Sequence, residues 1–279
     1  MKIFSKKEYI WEEEANALLK KVPFFVRRFA QAKVEELVQS QGRFDIRAED
    51  VERARRAFLR DIEQQEKSEK KDSEDSSRLI LYQVEACKGK VLGCPFGLVD
   101  TQWLAQRVIA LLEELQITEF LLKRTDGLLL PHHKIKVAIT GCPNSCPQPQ
   151  IKDFGIIAQA IPKKGRGDCT NCGLCLESCQ EEAITLDQEG PLIHRQRCIN
   201  CGLCAWACPE GAIIQEQEGY RLLVGGRLGR HPRLAQEVLS LVSDEEVIKA
   251  IKGFLDNFKS SAKPQEKFSH FSERFSHFL

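Results

Sequence analysis

Residues 169–209 read CTNCGLCLESCQEEAITLDQEGPLIHRQRCINCGLCAWACP. Within them the pattern C-x2-C-x2-C-x3-C occurs twice, as Cys169, Cys172, Cys175 and Cys179 and again as Cys198, Cys201, Cys204 and Cys208. Two tandem copies are an internal duplication, and steps this short let one loop present several soft thiolates to a metal assembly. The rest of the 12 cysteines are Cys87 and Cys94, a C-x6-C pair, and Cys142 and Cys146, a C-x3-C pair. All of them therefore sort into three sets of four, each spaced to suit a [4Fe-4S] cluster, and the chain reads as a redox protein. Disulfides would consume the same cysteines, but repeated C-x2-C steps are what metal sites use, and a reducing compartment keeps thiols free. Structural zinc would need fewer cysteines, in a C-x2-C … C-x2-C layout.

The chain has 279 residues, is 42% hydrophobic and carries a formal charge of +1. That length allows two or three small domains with ordinary cores, and that charge argues against a nucleic-acid or polyanion binder. No run of about 18 apolar residues is present, so no transmembrane segment is expected. The N-terminal MKIFSKK lacks a secretory apolar core before charge resumes at Glu8, and the expectation is a soluble, cytoplasmic protein.

Working outward from the cysteine repeats, the spacing predicts an α+β chain. Residues 1–60 read as three helices: Trp11, Ala15, Leu18 and Leu19 recur at helical spacing, Pro23 breaks the run, and Phe25, Phe29, Ala32, Val34, Leu37 and Val38 resume it up to Gly42. Val51, Ala54, Ala57 and Phe58 mark the third helix. Residues 61–77, DIEQQEKSEKKDSEDSS, form a charged linker. Strands are predicted over Leu79–Val84, Lys134–Ile139, Phe154–Ala160 and Tyr220–Val224, with helices over Trp103–Leu115 and Asp244–Phe258. The simplest arrangement is one α/β domain, 78–162 plus 215–258, interrupted by a cysteine-rich insert at 163–214. An amphipathic tail, 259–279, follows, with Phe268, Phe271, Phe275 and Phe278 on one helical face for core or partner packing.

The duplicated repeats, with Pro209 after the last cysteine and Gln180 where the first repeat would carry proline, resemble a bacterial-type 2[4Fe-4S] ferredoxin. In that module each fourth cysteine crosses to the other cluster. The resemblance implies one cluster on Cys169, Cys172, Cys175 and Cys208, and another on Cys198, Cys201, Cys204 and Cys179.

The stretch Ile139–Ile156, ITGCPNSCPQPQIKDFGI, with its Asp153-Phe154-Gly155-Ile156 ending, resembles the cluster-binding signature of sirohaem-dependent sulfite and nitrite reductases, in particular the dissimilatory and anaerobic sulfite reductases that carry a ferredoxin insert. CKGKVLGCPFGLVD at 87–100 is similar to the loop of the first two ligands in that family, with one residue more between its cysteines, and YRLLVGGRLGRHPR at 220–233 to its Gly-rich stretch. The resemblance implies a third [4Fe-4S] cluster on Cys87, Cys94, Cys142 and Cys146, with Cys146 also bridging to the iron of sirohaem. It further implies that sulfite or nitrite takes six electrons at that centre.

Sirohaem carries eight carboxylates, so cations and backbone donors must line its pocket. Asn144, Arg227 and Arg230 are the candidates to touch the macrocycle, with Lys152 and Arg233 in reserve. Lys88, Lys90, Lys134, Lys136 and Arg124 are the candidates to bind the oxyanion and assist protonation. His132 and His133 are adjacent rather than one turn apart and read as loop residues. Partners implied are an external electron-donor protein and a second subunit or a homo-oligomer completing the pocket. That family places a half-domain before its first cysteine, whereas residues 11–59 here, with Trp11 and Pro23-Phe24-Phe25-Val26-Arg27, resemble the helical C-terminal domain of the light-independent protochlorophyllide reductase. A second reading therefore stands beside the first: a non-catalytic electron-transfer subunit with the same three clusters and no sirohaem, serving a partner reductase.

Overall fold

The computed structural model describes residues 9–22, 24–57, 79–125 and 129–275. The linker 61–77, Pro23, Phe58 and Phe278 lie outside them. Two compact units are present: residues 1–77 with 92–95, and residues 78–91 with 96–279.

In the first unit the expected helices are α1 (Glu13–Lys20), α2 (Phe24–Ser40) and α3 (48–57). Trp11 departs from the helical expectation. It sits in β1 (Ile10–Trp11), which runs parallel to β2 (Asp45–Ile46), because the Ile10 N–H donates to the Phe44 carbonyl and the Glu12 N–H to that of Ile46. Ala15, Val34, Val38 and Ile46 are buried, with Tyr9, Trp11, Val51 and Ala54 against them.

The second unit is built on a five-stranded sheet of order β3-β4-β5-β8-β9. Its strands are β3 (Tyr82–Ala86), β4 (Ile135–Thr140), β5 (Phe154–Lys164), β8 (Ile213–Val224) and β9 (Gln236–Val242). The first three are parallel, and β8 and β9 are antiparallel additions. Between β3 and β4 lie α4 (Thr101–Glu114), whose Asp100 cap accepts from the Gln102 N–H at 2.9 Å, and α5 (Ile117–Arg124). The closing helix α8 (Asp244–Ser261) opens on a reciprocal cap between Ser243 and Glu246, legible as S-x-x-E. It is followed by α9 (Phe268–Phe275). One core joins these helices to the sheet through Leu104, Val108, Val137, Ile139, Phe154, Ile156, Leu222, Ile251 and Phe258.

The tail is part of that core. Phe268 is 2% exposed and Phe271 is fully buried, both stacked edge to face against Phe258. The α/β domain thus extends past residue 258, because the buried side chains Val247, Ile251, Leu255 and Phe258 along α8 share one core with Phe268 and Phe271.

The strand pair β5–β8 is much longer than the sequence predicts. It pairs from Phe154↔Val224 to Lys164↔Ile213, with one irregularity at Ile161/Pro162. The cysteine-rich insert hangs from its far end, where the Gly165 N–H donates to the Ala212 carbonyl at 2.9 Å. The insert contains α6 (Leu174–Ser178), the hairpin β6 (Ile184–Asp187) and β7 (Gly190–Ile193), and α7 (Leu203–Ala207). Among the described residues no helix is long and apolar enough to cross a membrane.

Candidate iron-sulfur centres

The duplication in sequence becomes a two-lobed structure. Asn171 and Asn200 occupy equivalent left-handed turns, with φ of 54° and 57°, and α6 and α7 follow each of them. The lobes share a small core of Cys175, Ile184, Cys204 and Ile213. One small concavity is lined by Cys169, Cys172, Cys175 and Cys208, with Leu186 and Pro191. The fourth cysteine of the second repeat thus stands with the first three of the first.

Electrostatics divide the thiols the same way. Burial first, then the neighbouring Cys201, Cys198 and Cys179, push the Cys204 thiol up to about 12. Cys201 is raised by burial, with Cys198 and Cys179 adding to it, and Cys175 by burial, with Cys208 and Cys169 adding to it. Thiolates crowded in an apolar shell repel one another, so this environment suits them only when a cationic core neutralises them. Among the described residues no three His, Cys, Asp or Glu side chains converge on a point fit for a single metal ion. Cys169, Cys172, Cys175 and Cys208 ring a shared space, an arrangement that suits a polynuclear cluster. A backbone donor also reaches one sulfur, from the Ala183 N–H to Cys179 Sγ at 3.3 Å.

At the C-terminal end of the parallel strands stand three more cysteines. Cys87 ends β3, its N–H bonded to the Ile139 carbonyl at 2.8 Å, its carbonyl accepting from the Thr101 hydroxyl and its sulfur from the Gly89 N–H at 3.3 Å. Cys142 follows β4 and is buried, while Cys146 is exposed. Between them Ser145 takes a left-handed φ of 55°, and Gln148 does the same, so the loop coils tightly around the pair. Cys94 lies in the stretch 92–95 that groups with the first unit.

The return of this loop explains the residues around the cysteines. Asp153 accepts from the Lys136 N–H at 2.8 Å and so ties the start of β5 to the start of β4. Gly155 has no room for a side chain, since a Cβ there would meet the Pro149 carbonyl oxygen at 2.3 Å. Gly226 is equally confined, with Gln150 and Lys152 carbonyl oxygens 2.5 and 2.7 Å from a Cβ. The Gly-rich stretch therefore uses its glycines to lie against the cysteine loop.

The candidate cations are separated by the fold. Lys88 and Lys90 are on the loop after β3, and the Lys90 ammonium donates to the Leu98 carbonyl at 3.0 Å. Asn144 is exposed beside Cys146, and Arg230 is exposed in the Gly-rich loop. Lys134 and Lys136 stand at the opposite end of β4, about 20 Å from Cys142 at roughly 3.3 Å per residue. Arg124 is there too, donating to the Ala262 and Lys263 carbonyls and stacked over Phe120 and Phe258. His132 and His133 share that end. Arg227 is spent on the C-terminal helix, donating to the Ser269 carbonyl and to Glu273 at 3.1 Å each. Arg233 also faces Glu273, and Lys152 pairs with Glu85 at 2.7 Å.

Sequence reasoning missed the contact that joins the two cysteine regions. The Ala160 N–H donates to the Asn200 carbonyl at 2.7 Å, and Ala160 bridges to Cys201. A methyl on Gly202 would sit 3.0 Å from Ala160 Cβ and 3.5 Å from Leu98 Cδ2, and the Leu98 N–H in turn donates to the Gly141 carbonyl beside Cys142 at 2.8 Å. The second repeat thus faces the sheet. The only signal in the sequence was a run of small residues, Ala158 and Ala160, on β5.

Comparison with known proteins agrees with this architecture. The family model described as "Nitrite and sulphite reductase 4Fe-4S domain" matches residues 81–277. The chain belongs to that family. The matched span includes both the insert and α9. A second model, "Proto-chlorophyllide reductase 57 kD subunit", matches residues 11–55. Coenzyme F420-dependent sulfite reductase of Methanocaldococcus jannaschii is 40% identical over 184 residues, covering 65% of this chain and 27% of that protein. One subunit of the anaerobic sulfite reductase of Salmonella typhimurium is 29% identical over 144 residues, covering 50% and 38%. Ferredoxin–nitrite reductase of Leptolyngbya laminosa is 33% identical over 91 residues, covering 33% and 15%. The chain therefore spans less than two fifths of the length of each of these relatives.

Proposed function

We propose that the chain carries three [4Fe-4S] clusters and delivers electrons to a sulfite- or nitrite-reducing centre on Cys146. The observation that carries this reading is the contact chain Cys201–Ala160 and Gly202–Leu98–Gly141, which sets one cysteine set of the ferredoxin-type insert beside Cys87, Cys142 and Cys146. Its geometry supports an order: the set of Cys169, Cys172, Cys175 and Cys208 is farther from the sheet, and the set of Cys198, Cys201, Cys204 and Cys179 is nearer. Cys94 completes the third set by its place in the motif.

The residues present fit sirohaem in part. Exposed Cys146 would be the thiolate that meets the group, and Asn144, Lys88, Lys90 and Arg230 would be the residues to meet its carboxylates or an oxyanion. When bound, the macrocycle would supply the iron at which the oxyanion is reduced. The chain's own part is to hold the thiols, orient backbone donors to their sulfurs and offer cations. With Arg124, Lys134 and Lys136 at the other end of the sheet and Arg227 committed to α9, few of the candidate cations among the described residues remain for such a pocket, which favours one completed by another protomer, of the same or a different kind. The same observation favours the alternative of an electron-transfer subunit without sirohaem.

The visible spectrum and acid–acetone extract of the anaerobically assembled protein decide between them. Extractable tetrapyrrole, alone or with a partner protomer, together with dithionite-driven sulfite or nitrite consumption, is the expected result. Full iron content with no tetrapyrrole in any assembly leaves the electron-transfer reading.

A further inference from the structure

The two halves of the cysteine insert differ in charge. Within the repeats, residues 168–193 hold Asp168, Glu177, Glu181, Glu182, Asp187 and Glu189 and neither lysine nor arginine, whereas residues 194–209 hold Arg195 and Arg197 and no carboxylate; Lys163, Lys164 and Arg166 precede them and Glu210 follows. All six acids are exposed, and among the described residues none joins an ion pair. Amid them stand the exposed thiol Cys172 and three exposed leucines, Leu174, Leu176 and Leu192 at 36%, 39% and 50%. Leu174, Leu176 and Glu177 sit on α6, and Asp187, Glu189 and Leu192 on the β6–β7 hairpin, and both elements help wall the cavity of Cys169, Cys172, Cys175 and Cys208. The other half sets Asn200 and Cys201 against Ala160 of the sheet, and exposes Ile199 and Trp206.

An unpaired set of like charges around an apolar surface concentrates counter-charged partners and speeds their encounter, most strongly at low salt. We propose that the acidic repeat is the docking face for a one-electron donor protein whose contact surface is cationic. This rests on the reading of the insert as a pair of redox clusters. Docking there would bring the donor to the cysteine set that lies farthest from the sheet. The basic half lacks such carboxylates and meets the sheet through Asn200 and Cys201.

Ferricytochrome c serves as a cationic one-electron probe. The assembled full chain is reduced with dithionite, freed of excess reductant and mixed with it; each ferric haem takes one electron and becomes ferrous while the chain is oxidised by one electron. The second-order rate should fall about tenfold from low to about 0.5 M salt as the charges are screened. The triple variant Glu177→Lys, Glu181→Lys, Glu182→Lys should lose about tenfold at low salt, and the triple Glu→Gln variant should lie between. The variant Arg195→Glu, Arg197→Glu should not be slowed. A rate indifferent to salt, or equal losses in the acidic and basic variants, overturns the docking face. Calorimetric binding of ferricytochrome c reads the face separately. Salt-sensitive binding lost in the Lys triple variant but without electron transfer upholds the face and overturns the redox reading of the insert.

Discussion

At the residue scale, the sulfurs are not interchangeable. Cys146 is exposed whereas Cys204 is buried among three other thiols. Cys146→Ser should lower iron by about four atoms per chain, from about twelve, and abolish any bound tetrapyrrole while sparing the insert. Cys204→Ser should remove about four from the insert and leave the Cys146 centre in place. Iron assay with electron paramagnetic resonance of the two variants checks this; the same signal lost in both would show the partition of ligands to be wrong. Asp153 is a second residue with a measurable signature. Burial holds its carboxyl at about 7 rather than 3.8. Between those values the folded chain keeps a proton that the unfolded chain releases, so stability is complete below about pH 4, falls as pH rises to about 7 and is level above. Three pH units at about 1.4 kcal/mol each set a ceiling of about 4 kcal/mol, which the residue's half-buried position reduces. Asp153→Asn retains an acceptor for the Lys136 N–H and should flatten the dependence of the urea midpoint on pH. An unchanged slope would assign the titration to another group.

At the scale of elements, what could be read from sequence followed what local spacing encodes. The cysteine repeats, the S-x-x-E cap of α8, the α4 helix and the strands β3, β4 and β5 all have signals within a dozen residues. The length of β8 did not, because its first half, IIQEQEG, is polar; it becomes a strand only because β5 is there to pair with it. Trp11 likewise looks helical until Ile46 pairs with it. The candidate cations failed to gather for the same reason: charge says nothing of which end of a strand it will occupy, and Lys134 and Cys142 are neighbours in sequence at opposite ends of β4. The glycines after β8 are a case where the residue type was legible and its use was not. Gly226→Ala should press a methyl into the Gln150 and Lys152 carbonyls, cost about 2 kcal/mol or more and loosen the loop of Cys142 and Cys146. Iron should be lost first from that centre on mild chelation, with the insert unaffected. Gly229, where a Cβ meets nothing within 4 Å, is the control for crowding, although its φ of 115° makes its own alanine variant strained.

At the scale of the molecule, the insert is attached in a way that makes it separable. Its two ends meet: Lys164 pairs with Ile213 in the antiparallel β5–β8 ladder, and the Gly165 N–H reaches the Ala212 carbonyl. A directly paired position in an antiparallel ladder can be closed by two residues, and Asn-Gly is the pair whose left-handed conformations match the twist of such strands. Replacing residues 165–212 by Asn-Gly should therefore leave a continuous hairpin in which the sheet, α4, α8 and α9 keep their shared core, since none of Val137, Phe154, Leu222 or Phe258 lies in the removed segment. Exposure of Ala160, which Asn200, Cys201 and Gly202 of the insert cover, is one cost, and so small a side chain buries little area. Iron should drop by about two thirds, from about twelve to about four per chain, and the remaining signal should be that lost in Cys146→Ser. Dithionite, which is small, should still reduce the remaining centre, while ferricytochrome c should oxidise it at a rate no longer sensitive to salt, because the carboxylates of 168–193 are gone. A shortened chain that still exchanges electrons with the cationic protein in a salt-dependent way would place the docking charge on the sheet domain.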